Sequence, residues 1–259
     1  MSIKRCIQKG IIYFRNSIKA THNHIELPSI HNSNNRINLN GEMNSFIVDE
    51  NGYMRSSFCF IEGTNNRIYT GKNSILTNQC SIRISGNNNH VVIEDDCLLN
   101  RMSIYIAGDN NKVRLSQHVS VVQSSFHMEN DNNVIEIGKG TSLHGRENGF
   151  VELVLEESTS ITIKDDCMIS NGVSFRSSDS HSVLDEKGER TNPAGNIVIN
   201  NHVWIGMRSL ILKNTVIYEN CVVGAGSLCN KEYKEGNCLI AGNPAKIIKK
   251  RVNWSRDRI

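Results

Sequence analysis

From residue 197 to residue 228 the chain places a large aliphatic side chain at every sixth position: Ile199, Ile205, Ile211, Ile217 and Val223. Two places earlier in each unit stands a smaller group, as at Val203, Ser209, Thr215, Cys221 and Ser227. Six is neither the period of a helix nor a simple alternation. It predicts a short strand and a corner, repeated, with one apolar side chain pointing inward and one small residue fitting the corner. Three such units make one triangular coil, and coils stack at the strand spacing of about 4.8 Å, which describes a parallel β-helix. Asn200 and Asn214 are expected at left-handed corners, a conformation that asparagine tolerates better than most residues. The same beat runs through Ile163, Ile169 and Phe175, then lapses over residues 176–196, "RSSDSHSVLDEKGERTNPAGN". It resumes at Ile199, four units of six after Phe175, so the lapse predicts a loop extruded between coils that re-enter the same register.

Upstream the beat is looser. "NSNNRI", "GTNNRI", "GNNNHV", "GDNNKV" and "NDNNVI" begin at residues 32, 63, 86, 108 and 130, spacings of roughly one coil plus a few residues. "IEDDCLL" (93–99) and "IKDDCMI" (163–169) are a second self-similarity. The asparagine pairs are read as stacked turns and ladders that support adjacent strands. Solenoids need caps on their end coils. In "MSIKRCIQKGIIYFRNSIKA" the residues Ile3, Ile7, Ile11 and Phe14 fall at helical spacing among basic residues, which predicts a short N-terminal helix. Such a helix would close the solenoid, with contact at a membrane surface as the alternative. The expected division is therefore a helical cap over 1–24, a β-helix over 25–235 with its loop at 176–196, and a basic C-terminal tail over 236–259.

Composition changes this picture little. Among 259 residues, 38% are hydrophobic but only 6% aromatic, so the core must be aliphatic. A net charge of +3 is too mild to argue for nucleic acid, although "KIIKKRVNWSRDR" gathers six basic residues near the C-terminus. Eight cysteines are present, without a CxxC pair, and Cys97, Cys167 and Cys221 occupy small-residue slots of the repeat. They are expected as small hydrophobes rather than disulfide partners or zinc ligands. With no signal-peptide pattern, the reduced cytoplasm is the expected compartment, including the inner face of the membrane.

"HVWIGMRSLILKNTVIYENCVVGAGSLCNKEYKEGNCLIAGNPAKIIKK", residues 202–250, resembles the hexapeptide acyltransferases, in which VWIG, GAGS and AGNPAK units follow in this order. The preceding loop, with its D-x-H and GER elements, is most similar to that of the capsule polysialic acid O-acetyltransferases. The specific match covers 160–250; residues 25–150 match in architecture only. The resemblance implies an all-β, left-handed parallel β-helix of hexapeptide repeats, with an extruded catalytic loop, assembled as a homotrimer. Periodicity alone does not give that hand.

It also implies acetyl transfer from acetyl-CoA to a sugar hydroxyl of a bacterial surface polysaccharide, such as a capsule or O-antigen, by direct transfer in a ternary complex with no metal. That reaction needs a base for the hydroxyl, and an imidazole is well matched at neutral pH. His181 takes this role by resemblance, with Asp179, Asp185 or a backbone carbonyl orienting its ring. Trp204 is expected on the outside of the solenoid, offering its indole N–H to the thioester or the developing oxyanion. The resemblance places Met207 and Ala225 against the pantetheine arm of coenzyme A, Asn230 and Lys231 beyond it, and Lys246 and Lys249 at the nucleotide phosphates. Cys221 and Cys229 are expected to be structural. Three alternatives stay open: a smaller sugar or amino sugar as acceptor, a metal hydratase of the γ carbonic anhydrase kind using histidines across an interface, and a non-enzymatic scaffold.

Overall fold

A computed structural model describes residues 16–28 and 33–258, and these form strands, turns and loops with no helix. Each coil contributes three short strands, one to each face of a prism. The first face is a ten-stranded sheet running from His24–Glu26 to Glu232–Tyr233. The other two faces join into an 18-stranded sheet, because Leu98–Ala107 and Ser120–Glu129 turn the corner between them without a break. Arg101 and Gln123, at φ 52° and 47°, make those bends. Neighbouring strands are parallel throughout the solenoid, as a coil requires.

Register measures the pitch of the coils. On the first face Ser45 pairs with Arg67, Arg67 with His90, His90 with Lys112 and Lys112 with Val134, each step somewhat longer than three hexapeptides. Downstream the coils are shorter, and Val198 pairs with Val216, three hexapeptides on. Between the two regimes Ile163 pairs with Ile199, six hexapeptides on, so one coil carries a full coil's length of extra chain as the loop 177–196. The lapse in the beat is thus an insertion into an unbroken ladder. The inward positions are as expected: Ile199, Ile205, Ile211, Ile217 and Val223 are fully buried, and Val203, Ser209, Thr215, Cys221 and Ser227 nearly so.

The asparagine pairs divide their labour. The first of each pair, Asn65, Asn88, Asn110 and Asn132, takes the left-handed conformation at φ 56–60°. The second points inward and forms a buried ladder. The Oδ1 of Asn44 accepts the N–H of Asn66 at 2.9 Å, Asn66 that of Asn89 at 3.0 Å, Asn89 that of Asn111 at 2.9 Å and Asn111 that of Asn133 at 2.8 Å. The glycine opening such a motif is obligatory where coils touch, since a Cβ at Gly63 would lie 1.9 Å from the carbonyl oxygen of Gly86.

Several expectations need correction. The predicted helix lies mostly outside the described residues, but its end, Ser17–Ala20, is a strand paired with Arg36–Asn40, and His24–Glu26 is also a strand, so 16–24 is part of the solenoid. Asn214 is left-handed at φ 63°, whereas Asn200 is not; His202, at φ 53°, takes that corner. The C-terminal segment is not a free tail. Cys238–Gly242 continues the second face, and Ala245–Lys250 folds back on it as an antiparallel strand. Residues beyond return down the solenoid: Trp254 stacks on His202 at 4.3 Å, and Arg256 donates to Ser142 Oγ at 3.0 Å and to the Cys167 carbonyl at 2.9 Å. The basic residues of this segment are absorbed partly by packing. No helix among the described residues is long and apolar enough to cross a membrane.

Candidate active site

The loop leaves the third face after Ser174–Arg176 and returns on the first face at Ile197–Ile199. Its base is closed by the Gly195 N–H on the Ser177 carbonyl, 2.9 Å, and Ser177 is fully buried with its Oγ 2.6 Å from that of Thr159. Two ion pairs pin it to the solenoid. Arg190 forms a bidentate pair with Glu157 at 2.5 and 2.9 Å, and Lys213 reaches Asp179 at 2.5 Å. The Arg190 hydrogen bond, helped by Ser178, holds the Glu157 carboxyl at about 2. Lys213, then Asn192, holds Asp179 below the usual carboxylate range.

Within this frame His181 is exposed, and its ring makes no hydrogen bond to a described residue, while its backbone is fixed at both ends. Its N–H donates to the Asp179 carbonyl at 2.7 Å, and its carbonyl accepts Asn192 Nδ2 at 2.9 Å. The same Asn192 amide accepts the Val183 N–H at 2.7 Å and donates to Asp179 at 2.8 Å. Neither aspartate orients the imidazole: Asp179 is committed to Lys213 and Asn192, and Asp185 accepts the N–H groups of Lys187 and Glu189 at 2.9 Å each. Sequence reasoning passed over Asn192, Glu157 and Lys213. Glu157 and Lys213 act across 21 to 34 positions of sequence, and no local motif announces that.

Trp204 lies on the outer surface of the second face, half-buried, in the column between Met168 and Val222. Its indole N–H donates to Ser170 Oγ at 3.2 Å, and its ring lies 6.1 Å from that of Trp254. One strand thus separates it from the loop's re-entry, and no contact joins Trp204 to His181 among the described residues. Below it opens a groove of about 510 Å³ lined in part by Ser120, His144, Ser170 and Arg256. There Ser120 Oγ stands 2.8 Å from His144 Nε2, and burial, then the Arg256 charge, pushes the His144 pKa down.

The six residues expected at the donor site fall on two edges. Met207 and Ala225 occupy the same corner of successive coils, where the Gly226 N–H donates to the Met207 carbonyl at 2.8 Å. Both are exposed, and the Cβ of Ala241 in the next layer lies 3.0 Å from where a Cβ on Gly224 would sit. Lys246, paired with Ala241, extends that corner; Lys249, opposite Leu239, lies farther along the strand. Asn230 and Lys231 belong to the following corner, with the Lys231 ammonium 5.7 Å over the Tyr233 ring. Burial pushes the Cys221 and Cys229 thiols up to about 11, so neither is a thiolate at neutral pH. Among the described residues no three His, Cys, Asp or Glu side chains converge as a metal site.

The fold recurs in solved proteins. The polySia specific acetyltransferase NeuO is 31% identical over 81% of this chain and 82% of its own, with a TM-score of 0.60. The chain belongs to the hexapeptide-repeat β-solenoid acyltransferases. A second member, the polysialic acid O-acetyltransferase OatWY, is 27% identical over 92% of both chains, TM-score 0.58. By sequence, the polysialic acid O-acetyltransferase of Neisseria meningitidis is 35% identical over 106 residues, 40% of this chain and 49% of that protein. That of Escherichia coli O1:K1 / APEC is 35% identical over 104 residues, 34% of its length. The chain thus aligns with a third to a half of the length of these curated acyltransferases. No family model matches it.

Proposed function

We propose that this acyltransferase moves an acetyl group from acetyl-CoA to a sugar hydroxyl of a bacterial surface polysaccharide. The observation that carries the reading is His181: an exposed imidazole with no partner among the described residues, held out from the solenoid by a loop that is itself tied down at Glu157, Asp179 and Asn192. A free imidazole on a rigid projection is what a general base requires. In the proposed step His181 takes the hydroxyl proton as the oxygen forms its bond to the acyl carbon, the carbon–sulfur bond breaks, and the thiolate leaves with the proton. Acetyl-CoA supplies the activated acyl group. The exposed corner of Met207 and Ala225, with Lys246 beside it, fits a narrow arm ending in phosphates, and Lys249, Asn230 and Lys231 extend the candidate surface.

Trp204 lies on the second face and His181 on the loop between the third and first faces, with no contact between them, so a site using both would draw them from neighbouring copies, as a homotrimer would supply. The loop tip agrees, since Val183 and Leu184 are 57% and 58% exposed.

The test is thiol release from acetyl-CoA with a panel of sialylated and neutral oligosaccharides, for wild type and His181→Ala. Acceptor-dependent release that collapses in the variant is the expected result. Release without any acceptor dependence, or a variant equal to wild type, would sink the reading.

A further inference from the structure

The proposed chemistry uses the short C-terminal coils and the loop. It leaves unexplained the outer surface of the third face along the longer N-terminal coils. On that face alternate residues point inward, so Cys59, Ile61, Ile82, Ile84, Ile104 and Ile106 are buried. The residues between them form an outward column in strict register: Phe60, Arg83, Tyr105, His127, Val154 and Arg176. Phe60 and Tyr105 are rings set two coils apart, with Tyr105 38% exposed. The Arg83 guanidinium lies 5.5 Å over the Phe60 ring, and His127 stacks on Tyr105 at 4.8 Å. Around the upper part of the column runs an open groove of about 470 Å³, walled also by Asn38, Asn40, Glu62 and Ser85.

Resting on the acetyltransferase reading, we infer that this column is a track for an extended glycan chain, which binds the polymeric acceptor away from the reacting hydroxyl and feeds it to the loop. Three observations select a glycan over another protein. The rings are isolated and flanked by amide, hydroxyl and guanidinium groups, a surface that offers an apolar face and hydrogen bonds at each step, as pyranose rings do. A stable protein interface would need a broader continuous apolar patch. The column steps by one strand spacing, about 4.8 Å, per coil, close to the length of one sugar unit in an extended chain. Finally, the column does not end blindly: Arg176 closes the last strand before the loop, a short way ahead of His181. Arg83 and Arg176 make no ion pair with a described residue, so both are available to acidic groups on the chain.

The inference predicts that affinity for acceptor grows with chain length, and that this gain resides in Phe60, Arg83 and Tyr105. Native electrophoresis through gels holding polysialic acid or dextran measures binding without turnover. Retardation by either polymer should weaken about three- to tenfold in Tyr105→Ala and Arg83→Ala. Both positions lie at the surface, and unchanged melting curves would establish folding. In parallel, the ratio of kcat/KM for long over short oligosaccharides should fall in the same variants. Retardation by neither polymer, or retardation and length ratio unchanged in both variants, overturns the track. Sedimentation showing that the variants dissociate also overturns it, because the face would then be a subunit interface. If wild type transfers acetyl to no acceptor the function fails, yet the retardation assay still decides the track.

Discussion

Asn192→Ala tests whether the loop's rigidity, rather than the mere presence of His181, makes the site. The side chain accepts from the Val183 N–H at 2.7 Å and donates to the Asp179 carboxylate at 2.8 Å and the His181 carbonyl at 2.9 Å. Truncation removes all three at once. A hydrogen bond contributes about 0.5–1.5 kcal/mol net, and in this exposed loop water replaces each partner, so the low end applies. The closed loop should lose about 1.5–2 kcal/mol relative to open forms. If His181 acts only from the closed form, kcat should fall about ten- to thirtyfold. The solenoid ladder re-enters its register independently of Asn192, so the melting temperature should hold. The corner of Met207 and Ala225 is untouched, so KM for acetyl-CoA should also hold. His181→Ala should cost far more activity than Asn192→Ala, since it removes the base itself rather than its support. A wild-type kcat in Asn192→Ala, or a loss confined to KM, would refute the claim that this amide positions the histidine.

Two further perturbations probe the frame. The Glu157 carboxyl is held at about 2 against an ordinary 4.5, chiefly by Arg190, so its anchoring is complete above pH 4.5 and lost as pH falls through about 2. Pepsin should therefore cut residues 178–192 faster in Glu157→Gln than in wild type near pH 4.5, with the difference closing towards pH 2; a constant difference would remove Glu157 as the acid-sensitive tie. In the buried ladder, Asn89→Ala strands the Asn111 N–H and the Gly108 carbonyl, at about 1–3 kcal/mol for each group. Urea unfolding should show a loss of about 2–6 kcal/mol, and a loss below about 1 kcal/mol would mean that water enters the ladder.

The parts legible in the sequence are those whose physics is periodic. A six-residue beat specifies which side chain points inward, and every inward residue named from it in 199–223 is buried. The asparagine repeats revealed the ladder for the same reason. What stayed hidden depends on contacts between coils. The left-handed corner passed from Asn200 to His202, and His202 Nδ1 there meets Asp166 at 2.7 Å, a coil and its loop earlier in the chain. The basic terminus looked like solvated charge because the partners of Arg256, which are Gly140, Ser142, Asp166 and Cys167, stand 89 to 116 positions before it. His181 is a candidate only because its flanking motifs resemble a known family; its lone spacing says nothing.

The two pitches explain why the site lies where it does. The longer coils carry strands of up to five residues on a single face, whereas the shorter ones carry strands of two or three, so the prism narrows towards its C-terminal end. The change is made in two irregular coils. In one, Val134 pairs with Ser160, a longer step than any before it on that face, and the surplus forms the tight turn bridged between Arg146 and Gly149. In the next, the coil between Ile163 and Ile199 extrudes the loop. A uniform solenoid has no place where side chains from different levels converge, because each coil repeats the last. A change of pitch breaks that equivalence and permits an insertion without straining the ladder on either side. Loop mutations should accordingly alter rate with little effect on stability, while mutations of inward residues such as Phe175 should do the reverse.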